Sequence, residues 1–202
     1  FRYIYDHHMD DADWFMKADD DTYVIMENLR YFLSGENTED PVYFGHQFKT
    51  IVKQGYFSGG AGYVLSKEAM RRFGTKGEDP TMCIQDGGAE DIVFGKCMEN
   101  LGVKVGNSTD SLGRSRFHCF DIELHVNGGF PEWYLNYDAH GAKKVNKNLK
   151  LWMFLTVNGE CIPTSAIQYV LHAFYNKNMC CTKEVRDMCR RDVLTFWKSI
   201  SC

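Results

Sequence analysis

The sequence lacks any long hydrophobic run, which excludes a membrane-spanning segment within its 202 residues. The longest strongly apolar stretch covers residues 151–155, whereas a transmembrane helix needs about 20 such residues. A leader peptide and an initiating methionine are also missing, since the chain begins with Phe1. We therefore expect a part of a longer protein, whose anchor would lie outside this sequence.

An excess of positive charge is missing as well. Lys and Arg number 23 against 27 Asp and Glu, so the formal net charge is −4, which argues against a nucleic acid partner. Hydrophobic residues make up 44% and charged residues 25%, as in an ordinary globular chain. This composition excludes a disordered or collagen-like protein, and the length fits one domain.

The eight cysteines form no Cys-x-x-Cys pair, which argues against a zinc ribbon. Their number nevertheless exceeds what is usual for a cytosolic protein, so we expect a compartment that permits disulfides. The triplet that begins at Asn107 is an N-glycosylation sequon and points to the same compartment.

Strand-like and helix-like segments alternate along the first 142 residues. Strands are predicted at 14–18, 42–45, 63–65 and 102–106, and helices at 1–10, 67–73 and 89–101. A further helix is predicted from Val24 to Phe32, with Thr22 as its N-cap. This order predicts an α/β fold with a largely parallel or mixed sheet.

The last 60 residues have a different pattern. A lysine-rich linker begins at residue 143, and two amphipathic helices are predicted at 165–174 and 185–200. We therefore divide the chain into an α/β portion, residues 1–142, and a mostly helical C-terminal extension, residues 143–202.

Three adjacent carboxylates, Asp19, Asp20 and Asp21, follow the apolar strand at 14–18. They repel one another unless solvent or a divalent cation neutralises them. Hard oxygen ligands suit Mg²⁺ or Mn²⁺, and these ions in turn hold phosphates. A solvated acidic turn is the alternative for the triad alone, but the glycine-rich segment downstream favours the metal site.

That glycine-rich segment, residues 55–62, contains four glycines, which would let the backbone approach a ligand closely. It matches neither a Walker loop nor a dinucleotide fingerprint, and a plain turn is the alternative. Downstream, Glu90 and Asp91 begin a predicted helix, where the helix dipole favours the ionised carboxylate that a general base requires. Simple helix capping is the alternative for this pair.

An aromatic stretch, Trp133 and Tyr134, follows the segment Gly-Gly-Phe-Pro at 128–131. The rings would serve either as a wall that faces a sugar or as part of the core.

Taken together, these motifs resemble those of the Fringe-like inverting β1,3-glycosyltransferases. The similarity rests on the sequence WFMKADDDTYV at 14–24, on residues 43–45 and 52–66, and on the pair at 117–118. It is greatest with the branch that transfers galactose from UDP-galactose to GalNAc-α-Ser/Thr of glycoproteins, which makes the core 1 O-glycan.

The resemblance implies a glycosyltransferase-A fold, the α/β fold of nucleotide-diphospho-sugar transferases, with Mn²⁺ as cofactor. It also implies a lumenal catalytic domain anchored in the Golgi membrane. The implied partners are UDP-galactose and a GalNAc-bearing glycoprotein, and the resemblance is compatible with a homodimer. The family's N-terminal nucleotide-binding half has no counterpart here, so we expect the C-terminal portion of that fold.

The resemblance further implies a role for each matching residue. Asp91 is the expected general base, and Asp19 and Asp21 are the expected metal ligands. The residues expected to contact the donor are Asp20, Gly59 and Gly60, and those expected to contact the acceptor are Glu90, Trp133 and Tyr134. The resemblance also implies a disulfide between Cys83 and Cys97. A glycan is expected on Asn107.

The sequence departs from the family at two further places. The family has a metal-binding histidine that corresponds here to Leu155, which cannot coordinate Mn²⁺, and His140 or His172 would have to replace it. In addition, Cys119 and Asp121 stand where the family usually has proline and valine. A catalytically impaired relative, acting as a chaperone or partner of an active transferase, is therefore the alternative function, and a lectin-like module that holds GalNAc is a third.

Overall fold

A computed structural model of the chain describes residues 1–85, 87–141 and 154–156. The helices predicted at 165–174 and 185–200 lie outside the described residues. In chain order the elements are α1 (Arg2–His8), β1 (Trp14–Lys17), β2 (Thr22–Val24), α2 (Met26–Leu33), β3 (Val42–Gly45), β4 (Gln47–Phe48), β5 (Tyr56–Phe57), β6 (Tyr63–Ser66), α3 (Lys67–Lys76), α4 (Glu90–Asn100), β7 (Lys104–Val105), α5 (Ile122–Asn127), α6 (Glu132–Tyr137) and β8 (Phe154–Thr156). No helix in this described part has both the length and the apolar character needed to cross a membrane.

The main sheet has four strands in the order β1-β6-β3-β7. Strand β6 runs antiparallel to both of its neighbours, whereas β7 runs parallel to β3. Two smaller sheets pair β2 with β8 and β4 with β5. The predicted α/β class with a mixed sheet is therefore confirmed.

The helix prediction at Thr22 is wrong. Thr22–Val24 forms strand β2, and the helix begins at Met26 with Ile25 as its N-cap. Two of the three strand residues are β-branched and favour extended backbone. The Thr22 hydroxyl, instead of capping a helix, accepts a hydrogen bond of 3.0 Å from the backbone N–H of Asp19.

Apolar clusters cover both faces of the sheet at its central strand, β6, whose four residues are all buried. Because side chains alternate along a strand, Tyr63 and Leu65 pack on one side with residues of α3 and α4. Val64 points to the other side and packs with Phe44 and with α2. This packing places the N-terminus of α4 beside the ends of β1 and β6.

A disulfide joins Cys83, in the loop after α3, to Cys97, in α4. It is the pair that the family resemblance implies. Its Cα atoms lie 4.5 Å apart, within the usual range of about 4.4–6.8 Å. The bond ties the loop that precedes α4 to the middle of that helix.

The hydroxyl of Tyr43 is buried in the core and has no hydrogen-bond partner among the described residues. Burial, together with the charge of Glu99, raises the pKa of this phenol. Because an unsatisfied buried hydroxyl costs about 1–3 kcal/mol, Tyr43→Phe should raise the free energy of unfolding by about 1 kcal/mol.

Urea denaturation of the wild type and the variant would measure this gain. Tyr134→Phe is the matched control, because the Tyr134 hydroxyl lies 3.2 Å from the Nε2 atom of His46 and its removal should lower stability. A loss of stability in Tyr43→Phe comparable to that of the control would contradict the prediction.

Candidate active site

The acidic triad lies in a turn directly after β1. Thr22 closes this turn, because its backbone N–H donates to the carbonyl oxygen of Asp19 at 3.1 Å. The Thr22 hydroxyl also donates to the carbonyl oxygen of Gly60 at 3.3 Å. The triad is thereby joined to the glycine-rich segment, which is distant in sequence.

Gly59 connects that segment to the acidic pair. Its backbone N–H donates to Oδ2 of Asp91 at 3.2 Å, and its carbonyl oxygen accepts a hydrogen bond from the N–H of Gly62 at 2.9 Å. A Cβ atom at Gly59 would lie 3.2 Å from Nζ of Lys17 and 3.3 Å from Oε2 of Glu90. Glycine at this position therefore allows a lysine and two carboxylates to approach one backbone segment.

Glu90 and Asp91 occupy the first turn of α4, as predicted, where the helix dipole stabilises negative charge. Oδ1 of Asp91 accepts a hydrogen bond of 2.8 Å from the N–H of Ile92, so both carboxylate oxygens of Asp91 are held. Glu90 accepts a hydrogen bond from the Tyr63 hydroxyl. Burial, followed by the charge of Glu90, raises the pKa of Tyr63, which therefore stays a donor.

Lys17, the last residue of β1, is a site residue that the sequence analysis missed. Its Nζ atom lies 2.6 Å from Oδ1 of Asp19 and 3.7 Å from Oε2 of Glu90. A lone cation at the end of an apolar strand, two residues before an acidic triad, was the sequence signal that could have revealed it. The lysine brings together carboxylates that are 71 positions apart.

The oxygen donors of the triad suit Mn²⁺ by their chemistry. Among the described residues, however, no three His, Cys, Asp or Glu side chains converge as a complete ligand set. An ion held by Asp19 and Asp21 would therefore have to take its other ligands from phosphate or water oxygens. The metal assignment stays a prediction.

Leu155, the counterpart of the family histidine, pairs with Tyr23 in the β2–β8 ladder, two residues after Asp21. The residue that corresponds to the family histidine therefore lies in the strand paired with β2, directly after the triad. His140 lies instead near His46, whose pKa is lowered chiefly by burial and in smaller part by His140. His172 lies outside the described residues.

The aromatic stretch is divided between core and surface. Tyr134 is buried, and its hydroxyl contacts Nε2 of His46. Nδ1 of His46 lies 2.9 Å from the carbonyl oxygen of Phe117, which can only accept, so Nδ1 carries the proton and Nε2 accepts from Tyr134. Trp133 is half exposed and remains available to a ligand, and an acceptor contact by either ring stays a prediction.

Both unusual residues near this stretch have structural roles. Asp121 is the N-cap of α5, where Oδ1 accepts a hydrogen bond of 2.8 Å from the N–H of Leu124. Cys119 forms no disulfide with another described cysteine and packs against two apolar clusters, and burial raises the pKa of its thiol to about 12. Neither residue blocks the convergence of Asp19, Gly59 and Asp91.

The sequon residue Asn107 is exposed in the loop after β7. The Thr109 hydroxyl donates to Oδ1 of Asn107 at 2.8 Å. A glycan on this exposed side chain stays a prediction.

Comparison with known proteins identifies a family and several similar proteins. The Fringe-like family model matches residues 2–118. Glycoprotein-N-acetylgalactosamine 3-beta-galactosyltransferase 1 of Xenopus laevis is 46% identical over 141 residues, which cover 68% of this chain and 39% of that protein. Beta-1,3-glucosyltransferase of Mus musculus is 35% identical over 98 residues, or 47% of this chain and 19% of that protein.

Chondroitin sulfate synthase 3 of Homo sapiens is 32% identical over 114 residues, which cover 50% of this chain and 12% of that protein. The matches thus span less than half the length of each of these relatives. The range that the family model matches is more than half of this chain and contains the triad, the glycine-rich segment and the acidic pair. The match is consistent with a glycosyltransferase-A fold. The chain therefore belongs to the Fringe-like family of glycosyltransferases.

Proposed function

We propose that this chain transfers galactose from UDP-galactose to the 3-hydroxyl of GalNAc-α-Ser/Thr on glycoproteins, with inversion, to make the core 1 O-glycan. The observation that carries the proposal is the carboxylate of Asp91, held by the Gly59 N–H at the start of α4. Its neighbour Glu90 is connected to Asp19 of the triad through Lys17. The galactosyltransferase from Xenopus laevis, 46% identical to this chain, supports the choice of donor and acceptor.

In the proposed reaction, Asp91 accepts the proton of the acceptor 3-hydroxyl as that oxygen attacks C1 of galactose. The new C1–O bond forms on the face opposite the diphosphate, while the bond from C1 to the phosphate oxygen breaks and UDP leaves with the electron pair. One displacement inverts the anomeric carbon, so no covalent enzyme intermediate is required. The hydrogen bonds from Gly59 and Ile92 hold the Asp91 carboxylate in one orientation for this step.

Asp19 and Asp21 are the residues that would hold Mn²⁺, which supplies neutralisation of the diphosphate and of the leaving group when bound. Asp20, Gly59 and Gly60 would face the donor, whereas Glu90, Trp133 and Tyr134 would lie toward the acceptor. A lumenal location in the Golgi suits a chain that carries the disulfide between Cys83 and Cys97.

The test is a transfer assay on the full chain with a GalNAc-α-Ser/Thr glycopeptide, Mn²⁺ and one sugar nucleotide at a time. UDP-galactose should yield a disaccharide product with a β1,3 linkage, identified by mass spectrometry and NMR. UDP-glucose, UDP-GalNAc and UDP-glucuronic acid are the matched donors, because the relatives include a glucosyltransferase and a chondroitin synthase. Transfer from one of these, and not from UDP-galactose, would refute the proposed donor.

The second candidate function is a catalytically impaired partner of an active transferase. The observation that favours it is Leu155, which pairs with Tyr23 close to the triad and stands where the family resemblance implies a histidine. Binding of UDP-galactose and of the glycopeptide without any product from any donor would support this candidate over the enzyme.

Asp21→Ala should abolish Mn²⁺-dependent binding of UDP-galactose, because it removes a hard oxygen ligand from an already open set. Isothermal titration calorimetry with and without Mn²⁺ would measure the loss. Asp10→Ala is the control, since the Asp10 side chain is fully exposed and forms an ion pair with Lys67 at 3.6 Å. Unchanged metal-dependent binding in Asp21→Ala would contradict the metal assignment.

A further inference from the structure

Lys17 is the cation at the centre of the candidate site. Its Nζ atom lies 2.6 Å from Asp19, 3.7 Å from Glu90 and 3.3 Å from the carbonyl oxygen of Gly59. These partners belong to three segments that are far apart in sequence: the triad, the glycine-rich segment and the start of α4. The lysine side chain is 26% exposed, so solvent screens these contacts less than it screens a surface ion pair.

The backbone of Gly59 connects Lys17 to Asp91 through two contacts. Its carbonyl oxygen contacts Nζ of Lys17, while its N–H donates to Oδ2 of Asp91. The backbone of one residue thus lies between the lysine and the carboxylate. A shift of Gly59 away from the lysine would also remove a hydrogen bond from Asp91.

The ring of Tyr63 is a further contact of the Lys17 side chain. Nζ of Lys17 lies over the Tyr63 ring, 5.9 Å from its centroid, a distance compatible with a cation–π contact. The hydroxyl of the same tyrosine donates to Glu90. Lys17 and Tyr63 therefore both contact the carboxylate of Glu90. Glu90 directly precedes Asp91 in the first turn of α4.

We propose that Lys17 is a positioning residue, whose ammonium fixes Gly59 and Glu90 so that the Asp91 carboxylate keeps one orientation. Lys17 itself neither accepts nor donates the proton of the reaction. The inference rests on the proposed function only where it refers to turnover, because the restraint on the glycine-rich segment is a property of the free chain.

The test compares the wild type with Lys17→Met, Lys17→Arg and Lys67→Met. Methionine keeps an unbranched apolar stem and removes the charge, whereas arginine keeps the charge. Lys67→Met is the matched control, because Lys67 is 21% exposed and forms an ion pair with Asp10 outside the site.

The first measurement is hydrogen exchange of the free chain. Peptides that cover residues 58–62 should exchange at least tenfold faster in Lys17→Met, and Lys17→Arg should retain most of the wild-type protection. Lys67→Met should leave this segment unchanged. Equal protection in Lys17→Met and in the wild type would overturn the proposal, as would faster exchange throughout the chain.

The second measurement is transfer kinetics. In Lys17→Met, kcat should fall at least tenfold while KM for the glycopeptide changes less than threefold, and Lys17→Arg should recover part of kcat. An unchanged kcat would overturn the positioning role. If the wild type transfers no sugar, the proposed function fails, but the exchange measurement still decides whether Lys17 restrains the segment.

Discussion

Asp91→Asn should remove galactosyl transfer and leave donor binding largely intact. Asparagine keeps the shape of the side chain, and its amide oxygen can still accept the hydrogen bond that Gly59 donates at 3.2 Å. A carboxamide cannot, however, take up the proton of the acceptor hydroxyl. Because a positioned general base contributes about 10²–10⁴-fold to a rate, we expect kcat to fall within or beyond that range.

Steady-state transfer kinetics and calorimetry with UDP-galactose would measure the two effects on one protein preparation. Asp10→Asn is the matched control, because it makes the same change from carboxylate to amide at an exposed side chain that pairs with Lys67. The control should leave both kcat and donor binding unchanged. Turnover at the wild-type rate in Asp91→Asn would exclude Asp91 as the base.

The second large effect is a loss of stability in mild acid. His118 and His125 are both buried, and their ring centroids lie 4.4 Å apart. Burial, followed by the proximity of other histidines, lowers the pKa of His118 well below its usual value and that of His125 to about 4. Nε2 of His125 has no hydrogen-bond partner among the described residues.

The sign of the effect follows from these lowered pKa values. Below a pH of about 6.5 the unfolded chain binds protons on these histidines, whereas the folded chain keeps them neutral. The stability that neutral burial contributes is therefore present above that pH and is lost as the pH falls toward the folded pKa. Between pH 7.5 and 5.5, each such histidine should lower the free energy of unfolding by about 1.4 kcal/mol. His118 and His125 together should therefore lower it by about 3 kcal/mol.

Urea denaturation at pH 7.5, 6.5 and 5.5 would measure this loss. His125→Phe should remove about 1.4 kcal/mol of the pH dependence, because it replaces a buried imidazole with a ring that does not titrate. The buried His46, whose pKa is also lowered by burial, adds to the part that remains. Trp133→Phe is the control, since it changes a neighbouring aromatic side chain that carries no titratable group. A free energy of unfolding that stays constant over this pH range would contradict the prediction.

Local sequence was sufficient for much of the fold. The apolar strand before the triad, the helix that begins at Glu90 and the strand at β6 were all predicted within a few residues, because each depends on short-range periodicity. The pattern failed at Thr22, where β-branched residues and pairing with Thr156 of β8, 134 positions away, outweighed the helical spacing. Pairing with so distant a segment cannot be read from a local window.

The candidate site was predicted in part for the same reason. Clusters of one residue type, such as the triad and the glycine-rich segment, are visible in the sequence because their members are adjacent. The disulfide between Cys83 and Cys97 followed from family resemblance alone and is present in the fold. Lys17 was missed because a single lysine has no pattern of its own.

The sequence by itself therefore determined which chemical groups are available: carboxylates after a strand, glycines that permit close approach, and an acidic pair at a helix start. Only the tertiary structure decided which of them meet. The packing of α4 against β6 brings Asp91 to the Gly59 N–H, and the end of β1 brings Lys17 to Glu90. These contacts depend on directions and distances across the sheet, which are set by the packing of apolar side chains far from the site.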